Sequence, residues 1–349
     1  MSHVTIVTGC AGVGKTAKLL KTYCTALERG RSENRPGTSL WLTPTHRIQK
    51  CLTQQVAGQI GTVCFAPNIL TFDRFAARIL EAAGHPASPI SPVMKRLLIR
   101  RIAASLQEQG ELRYFQPIVG TTGFFDVISS FISELKREEI WPETFVEACQ
   151  QRTSNFARRD LEVGLIYSRY QQQLLEQNWY DNEGRFWLAR TALSDGVRGP
   201  FADLRTLIVD GFADFTQTQY EILGYLASWI DEIFISLPAE QPLSRNDLFA
   251  KPQAAIARIE EQLPENATYR LERLPSGMSN VTDDSLPQIP SSSLKSVRII
   301  ADRLFANPRF VKPSSETDGL EIIEAIGPFA EWEAVARRIK ALLLSLIHI

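Results

Sequence analysis

The sequence has little of what marks a secreted, membrane-spanning or metal-binding protein. Its five cysteines are scattered, without a CxxC pair, which fits reduced thiols and offers no zinc or iron–sulfur motif. No apolar stretch approaches the roughly 18 residues of a membrane span, and the first residues lack a signal-peptide pattern. We therefore expect a cytoplasmic protein without a membrane partner.

Neither sign of charge dominates the chain. It has 38 Lys and Arg against 39 Asp and Glu, a formal net charge of −1. This balance excludes a strong long-range attraction to phosphate, so any nucleic-acid binding must come from local basic surface. With 349 residues, 44% hydrophobic and 22% charged, the composition is typical of a globular protein of about two domains.

Short β-branched segments alternate with amphipathic segments in the first third of the chain. Predicted strands at Val4–Val7, Ser39–Thr43 and Thr62–Phe65 are each followed by a helical pattern. The strand pattern returns at Leu204–Val209 and Glu232–Leu237 after about 100 residues that are almost entirely helical in pattern. The alternation predicts a parallel sheet with crossover helices.

A glycine-rich segment follows the predicted strand Val4–Val7 and matches the phosphate-binding P-loop pattern G-x-x-x-x-G-K-[ST]. Backbone N–H groups and the helix N-terminus of such a loop hold phosphate. Lys15 would reach the β- and γ-phosphates of ATP, and the Thr16 hydroxyl would ligate Mg²⁺. The alternative, a glycine-rich turn with an accidental Lys-Thr, is rare at average composition. The predicted nucleotide-binding residues of this loop are Gly9, Cys10, Ala11, Gly12, Val13, Gly14, Lys15 and Thr16.

Asp210 ends the apolar strand Leu204–Val209 and supplies a second Mg²⁺-holding group. A turn or helix-capping aspartate is the alternative. ATPases that use this strand commonly place Glu next, as the base that orients the attacking water, but here that position is Gly211. The pattern predicts nucleotide binding with weak hydrolysis, and it identifies no catalytic residue.

The segment from Asp210 to Gln219 resembles the D-E-F-Q-D-x-x-x-x-Q motif of UvrD-like helicases, with Gly211 in place of Glu. Its form D-G-F-x-D-F-T-x-x-Q is similar to the AddB-type subunits of bacterial helicase–nucleases. No segment matches the later motor motifs or a D…E-x-K nuclease signature. Four further segments agree with that family in the same order: Trp41–His46, Ile69–Phe75, Asp181–Arg185 and Glu331–Ile339.

The resemblance implies an α/β fold with a RecA-like P-loop parallel sheet, a large all-helical insertion, and the truncated start of a second RecA-like domain. Residues 241–318 are rich in Pro and Ser, which predicts loop, and Leu320–Ala325 is a predicted strand. The predicted domains are the RecA-like domain at 1–91 and 200–240, the helical insertion at 92–199, the loop-rich linker at 241–318 and the second domain's start at 319–349.

The resemblance also implies the ligands and partners. It implies ATP, Mg²⁺, single-stranded or duplex-end DNA and an AddA-like partner subunit, in double-strand break repair and recombination. Since no nuclease signature is present, we expect the chain alone neither to cut nor to unwind DNA. Two other classes stay open: a P-loop kinase of a small metabolite or nucleotide, and a non-catalytic scaffold that nucleotide stabilises.

The predicted roles of several site residues depend on the resemblance. Gln219 would orient the nucleotide or Asp210, and Phe72 would stack on a base. The residues themselves leave alternatives: Phe72 and Phe75 in a core, Thr45 as a helix cap, and Gln219 as an exposed helix position. The predicted DNA-binding residues are Thr43, Thr45, His46, Thr71 and Phe72.

Two basic groups lie in the helical part of the sequence. One contains Lys95, Arg96, Arg100 and Arg101, and the other is the pair Lys136 and Arg137. Such groups are typical of solvated helix faces, with DNA contact as the alternative.

Overall fold

The structure is a computed structural model that divides the chain into two compact units. One comprises Met1–Gln241 and Phe249–Ser279, the other Pro242–Leu248 and Asn280–Ile349. The residues that it describes are 2–60, 67–152, 156–239, 245–274, 296, 299–300, 303–305, 309, 311, 313, 315 and 319–347.

Eight strands and eleven α-helices lie within these residues. None of the helices in the described ranges combines the length and the apolar character that crossing a bilayer requires. The strands are β1 (His3–Gly9), β2 (Ser39–Thr43), β3 (Ile69–Thr71), β4 (Ser88–Pro89), β5 (Trp179–Tyr180), β6 (Thr206–Val209), β7 (Glu232–Pro238) and β8 (Thr268–Arg273). The helices are α1 (Lys15–Ser32), α2 (His46–Ile60), α3 (Phe72–Ala82), α4 (Pro92–Glu108), α5 (Thr122–Arg137), α6 (Pro142–Gln150), α7 (Ala157–Glu176), α8 (Asn182–Ser194), α9 (Gln217–Leu226), α10 (Asn246–Gln262) and α11 (Gly327–Ile347).

Six of the described strands form one parallel sheet in the order β3–β2–β6–β7–β1–β8. Every residue of β2 and β6 is buried, as expected for central strands of a parallel sheet covered on both faces. Parallel strands bring their carboxyl ends to one edge, so the segments after β1, β2 and β6 meet there. The prediction of an α/β fold with a parallel sheet is confirmed.

The two faces of the sheet pack against different helices. Leu42 and Val209 belong to the core shared with α3, α8 and α9. Trp41 and Ile208, one residue earlier, belong to the core shared with α1 and α2, where Tyr23 packs edge-on against Trp41. Side chains alternate between the two faces along a strand. Thr43 and Asp210 come two residues after Trp41 and Ile208, so they belong to the same face, which α1 covers.

Helices α4 to α7 enclose a third core of their own. The helical pattern predicted for this part of the chain is confirmed, with the stripe Phe124, Ile128, Ile132 and Leu135 of α5 buried at three- and four-residue spacing. Such spacing places side chains on one helix face. The domain boundaries at 91/92 and 199/200 stay predictions.

A buried charge cluster joins α8 to the other helices. Asp181 caps α8 by accepting a hydrogen bond from Gly184 N, and it also accepts one from Lys136 Nζ at 2.6 Å. Lys95 Nζ lies 3.4 Å from Asp181, and the Tyr170 hydroxyl donates to it at 3.0 Å. Lys95 and Lys136 are 5% and 1% exposed, so the expectation of a solvated or DNA-binding face is wrong for these two lysines. Their aliphatic stems pack in the core, while Asp181 pairs with both ammonium groups and Glu183 pairs with that of Lys95. Arg96, Arg100, Arg101 and Arg137 of the same groups are exposed.

Two secondary-structure expectations also need correction. The segment 241–318, predicted to be loop-rich, contains α10 and β8, and β8 pairs with β1. The Pro and Ser residues behind that expectation are concentrated between 275 and 293, which lie outside the described residues. Leu320–Ala325 forms no strand, since β-branched residues make a strand only where another strand pairs with them. The predicted strand Thr62–Phe65 also lies outside the described residues.

Candidate nucleotide site and the groove beside it

The loop between β1 and α1 carries the predicted nucleotide-binding residues to the carboxyl end of the sheet. Gly14 immediately precedes α1 and has φ +88°, the left-handed conformation that glycine adopts without strain. A glycine at this position brings no side chain to cap the helix, so the N–H groups of the first turn face the loop. Along the loop Gly9 is buried, Cys10, Val13, Gly14 and Lys15 are half-buried, and Ala11, Gly12 and Thr16 are exposed.

Lys15 lies across its own loop. Its Nζ donates hydrogen bonds to the carbonyl oxygens of Gly9 at 2.7 Å and Cys10 at 2.8 Å. Burial lowers the pKa of the Lys15 ammonium, and the negative charge of Asp210 partly offsets this. The ammonium is thus held by the carbonyl oxygens at the start of the loop, near the N-terminus of α1.

Asp210 links β6 to the first turn of α1. Thr16 Oγ1 donates to Asp210 Oδ2 at 2.9 Å, and Ser236 of β7 donates to Asp210 Oδ1. The carboxylate is 4% exposed. The Thr16 hydroxyl and the Asp210 carboxylate, the two groups predicted to hold Mg²⁺, therefore lie together. This contact favours a metal-holding Asp210 over the alternative of a turn or helix-capping aspartate.

Gly211 follows with a backbone that disfavours any other residue. Its φ is +89°, and an added Cβ would lie 3.2 Å from Pro44 Cδ and 3.7 Å from Ile48 Cδ1. Glutamate therefore could not replace it without strain. The backbone conformation of this turn therefore favours glycine over an acidic residue directly after Asp210.

Gln219 lies in the first turn of α9. Its Oε1 accepts a hydrogen bond from Thr216 N, and its own N donates to Thr216 Oγ1, forming a capping box at the start of α9. The residue borders a cavity of about 240 Å³ beside Thr218, Lys136 and Trp187. The described lining of this cavity contains no residue of the Gly9–Thr16 loop, and the expected role of Gln219 towards the nucleotide or Asp210 stays a prediction.

Thr43 and Phe72 are both too buried to contact DNA as expected. Thr43 is 0% exposed, and Phe72 is 2% exposed. Phe72 packs edge-on against Phe75 and Phe212, in the core that the residue spacing allowed as the alternative. Thr43 ends the interior strand β2, and Phe72 begins α3, whose apolar face packs against the sheet.

Thr45 and His46 are exposed, whereas Thr71 is 3% exposed and lies at the edge of a surface groove. Thr45 is exposed, and its Oγ1 accepts a hydrogen bond from Ile48 N, which confirms the capping alternative. His46 and Thr71 line a groove of about 480 Å³ that is bordered by α3, Pro89 and Tyr180. Thr71 also caps α3 by accepting from Arg74 N at 3.3 Å.

The same groove contains cationic and aromatic residues that the sequence reading did not select. Arg74 and Arg185 line it, with Arg185 3.4 Å from Asp73 and its guanidinium carbon 6.0 Å from the centre of the Tyr180 ring. Arg185 Nε is buried and has no hydrogen-bond partner among the described residues. Arg74 and Arg185 belong to two of the segments that carried the family resemblance, so their position in those segments was the available signal. For Ser236 the signal was a hydroxyl within an apolar strand.

Comparison with known proteins points to one family. The family model described as ADDB, N-terminal, matches residues 6–284. The B subunit of the ATP-dependent helicase/deoxyribonuclease from Listeria monocytogenes serotype 4a (strain HCC23) is 23% identical over 351 residues, covering 97% of this chain and 28% of the relative. Subunits of the same name from Acetivibrio thermocellus and Clostridium novyi are 24% and 25% identical, each over 95% of this chain and 28% of the relative. The chain thus spans little more than a quarter of the length of these relatives.

Proposed function

The chain belongs to the AddB N-terminal family, and we propose that it is the ATP-binding, single-stranded-DNA-engaging portion of an AddB-like helicase–nuclease subunit. The proposal places it in double-strand break repair and recombination, in the cytoplasm, with an AddA-like partner subunit. The observation that carries the ATP-binding part is the hydrogen bond from Thr16 to Asp210 beside the Gly9–Thr16 loop.

The residues at this site fit a nucleoside triphosphate. The first turn of α1 offers backbone N–H groups and positive potential, which suit phosphate. Lys15 would exchange its bonds to the carbonyls of Gly9 and Cys10 for bonds to the β- and γ-phosphates. That exchange replaces two carbonyl acceptors by phosphate oxygens, so the ammonium keeps hydrogen-bond partners in both states.

The same residues fit Mg²⁺. Mg²⁺ is usually bound by one or two protein groups, with phosphate oxygens and waters filling the remaining positions. Thr16 and Asp210 are such a pair. The described residues contain no group of three or more His, Cys, Asp or Glu side chains placed to hold a metal, so the proposed ion would depend on the nucleotide. Bound there, it would neutralise phosphate charge.

A RecA-like ATPase domain is the finer part of the proposal. The order β3–β2–β6–β7–β1–β8 supports it, because the phosphate-loop strand and the Asp210 strand end at the same edge of one parallel sheet. Family membership favours this reading over a small-molecule kinase. One observation favours a non-catalytic scaffold stabilised by nucleotide. The backbone at Gly211 would be strained by any other residue, so this turn disfavours the glutamate that hydrolysis would use.

Single-stranded DNA is proposed to bind the groove between α3 and Tyr180. His46 and Thr71 line it together with Arg74 and with Arg185, which lies beside the aromatic ring of Tyr180, and Asp73 and Glu81 in the same lining balance the two positive charges. Cations that follow the backbone, next to aromatic surface, are the usual chemistry of single-strand binding. Thr45 at the start of α2 would border the same path, whereas Thr43 and Phe72 are left out because they are buried.

The deciding experiment measures ATP binding by calorimetry, with Mg²⁺ and with chelator, and single-strand binding with and without Mg²⁺–ATP. We expect ATP binding that Mg²⁺ strengthens, and binding of single strands that weakens as salt is raised. A chain that binds neither ATP nor single-stranded DNA would refute the proposal. Binding of both with turnover below about one per minute would favour the scaffold over a motor, since typical enzymes turn over at about 1–10³ s⁻¹.

A further inference from the structure

Three buried polar side chains lie next to one another where three strands of the sheet end. Thr43 of β2, Asp210 after β6 and Ser236 of β7 are 0%, 4% and 3% exposed. The registers of β6 with β2 and with β7 continue one residue beyond Val209, which places these three in one row. Neighbours in such a row point to the same face, about 4.8 Å apart between strands.

This polar row faces the start of α1. Trp41 and Ile208, two residues before Thr43 and Asp210, pack in the core beneath α1. Thr16, in the first turn of α1, reaches Asp210 directly. The polar row therefore lies beneath the first turn of α1, next to the proposed phosphate loop.

The hydroxyl of Thr43 is the one group in the polar row that the described residues leave without a partner. Ser236 and Thr16 donate to the two oxygens of Asp210, but Thr43 Oγ1 is buried with no hydrogen bond to any described residue. A buried hydroxyl without a partner is costly and rare, and an ordered water or an ion is a common explanation. The Asp210 carboxylate is its neighbour in the row, so a water that bonded this hydroxyl would have a second polar partner.

We propose that Thr43 is a positioning residue of the nucleotide–metal site, whose hydroxyl hydrogen-bonds a water of the hydrated Mg²⁺ that ATP brings. Ser236 orients the Asp210 carboxylate from the opposite side. The inference rests on the proposed function, and it moves Thr43 from the predicted DNA-binding residues to the nucleotide site. It also assigns a role to Ser236, which no sequence motif selected.

The test removes the hydroxyl and keeps the shape of the side chain. In Thr43→Val we expect the gain in ATP affinity that Mg²⁺ provides to fall about three- to tenfold, the size of one lost hydrogen bond. ATP affinity in chelator should not change, and the Tm should stay equal or rise, because a methyl group replaces an unpaired hydroxyl. Thr43→Ser should retain most of the Mg²⁺ effect. Calorimetric titration with ATP and thermal unfolding measure all of these quantities.

Two further variants sharpen the result. Thr206→Val removes a buried hydroxyl at the other end of β6, on the same face, and should leave the Mg²⁺ effect unchanged. Ser236→Ala should reduce the Mg²⁺ effect, because Asp210 Oδ1 loses its partner. An unchanged Mg²⁺ effect in Thr43→Val, an equal loss in Thr206→Val, or a clear fall in Tm of Thr43→Val would overturn the inference.

The failure of the inference and that of the proposed function can be told apart. If Lys15→Ala abolishes ATP binding while Thr43→Val behaves as wild type, the inference is wrong and the nucleotide site stands. If Lys15→Ala binds ATP with full affinity, the nucleotide site is wrong and the assignment of Thr43 fails with it.

Discussion

Thr16 donates a hydrogen bond to Asp210 over 2.9 Å, although 194 positions separate the two residues in the chain. Their strands, β1 and β6, are not neighbours, since β7 lies between them. Adjacent strands are about 4.8 Å apart, so the contact needs the start of α1 to lean from the end of β1 towards β6. The contact thus fixes the Gly9–Thr16 loop relative to the only carboxylate of the polar row.

Lys15→Ala should abolish measurable ATP binding. The Lys15 ammonium is the one side-chain cation held at the described loop by backbone carbonyls, and the phosphates lose their main charge-assisted partner without it. Isothermal calorimetry with Mg²⁺–ATP measures the loss.

Lys18→Ala is the matched control for that variant. Lys18 belongs to the same helix, one turn further, and pairs with Glu272 of β8. We expect ATP affinity within about twofold of wild type, because Lys18 is engaged by Glu272, away from the loop, and an ion pair near the surface contributes about 1 kcal/mol or less. Equal losses in the two lysine variants would mean that general charge, and not the loop, attracts the nucleotide.

ATP turnover should be slow, and Gly211→Glu should not restore it. The wild-type chain lacks a base after Asp210, a contribution worth about 10²–10⁴-fold, so we expect kcat below about 10 s⁻¹. A side chain at Gly211 must adopt φ +89° beside Pro44, which costs about 1–2 kcal/mol of folding free energy. Steady-state phosphate release and thermal unfolding measure the two effects.

Gly58→Glu separates the strain at Gly211 from the effect of an added charge. Gly58 is exposed within α2, and a Cβ added to it would have open space around it, so glutamate there should leave stability equal or raise it. Fast turnover by Gly211→Glu, with stability equal to that of the wild type, would show that this turn accepts a catalytic base.

The phosphate loop and Asp210 could be predicted from the sequence because each is a local pattern. Gly9 to Thr16 bends the chain through its own glycines, and an acidic residue directly after an apolar strand must lie at the sheet edge. The strands and helices around them follow from periodicity in the same way. The parallel arrangement follows because each strand is separated from the next by a helix.

Other parts of the site depend on which surface each element covers, and one sequence does not contain that information. Thr43 and Thr45 are two residues apart, yet one is fully buried under α1 and the other is exposed. The sequence around Lys136 is typical of the solvated end of a helix. In the structure Lys136 is buried and donates a hydrogen bond to Asp181, which lies 45 positions later in the chain. The pairing of β8 with β1 joins residues 265 positions apart, such as His3 and Thr268.

Arg74→Gln should weaken binding of single-stranded DNA and reduce its dependence on salt. Arg74 is exposed and lines the groove that contains His46 and Arg185, and each lost phosphate contact lowers the logarithmic salt slope by about 0.7 for single strands. Fluorescence anisotropy with an oligonucleotide at several salt concentrations gives both values. Arg78→Gln, one turn along α3 and outside the described groove lining, should bind as the wild type does. Identical salt slopes for wild type and Arg74→Gln would place the DNA path elsewhere.

Asp181→Asn should destabilise the fold in a pH-dependent way. Burial by itself raises the pKa of the Asp181 carboxyl, but the charges of Lys136 and Lys95 outweigh it and lower the pKa to about 2. Since this lies below the unfolded value of about 3.9, the stabilisation is complete above about pH 4 and is lost as the pH falls towards 2. The variant leaves Lys136 buried without a carboxylate partner and Lys95 with Glu183 alone, which should cost about 3–5 kcal/mol of unfolding free energy at pH 7, and the difference from wild type should shrink below pH 4. Urea denaturation across this pH range measures it, with exposed Asp195→Asn as the control. A deficit that stays constant from pH 7 to 2 would show that the stabilising feature of Asp181 is not its charge.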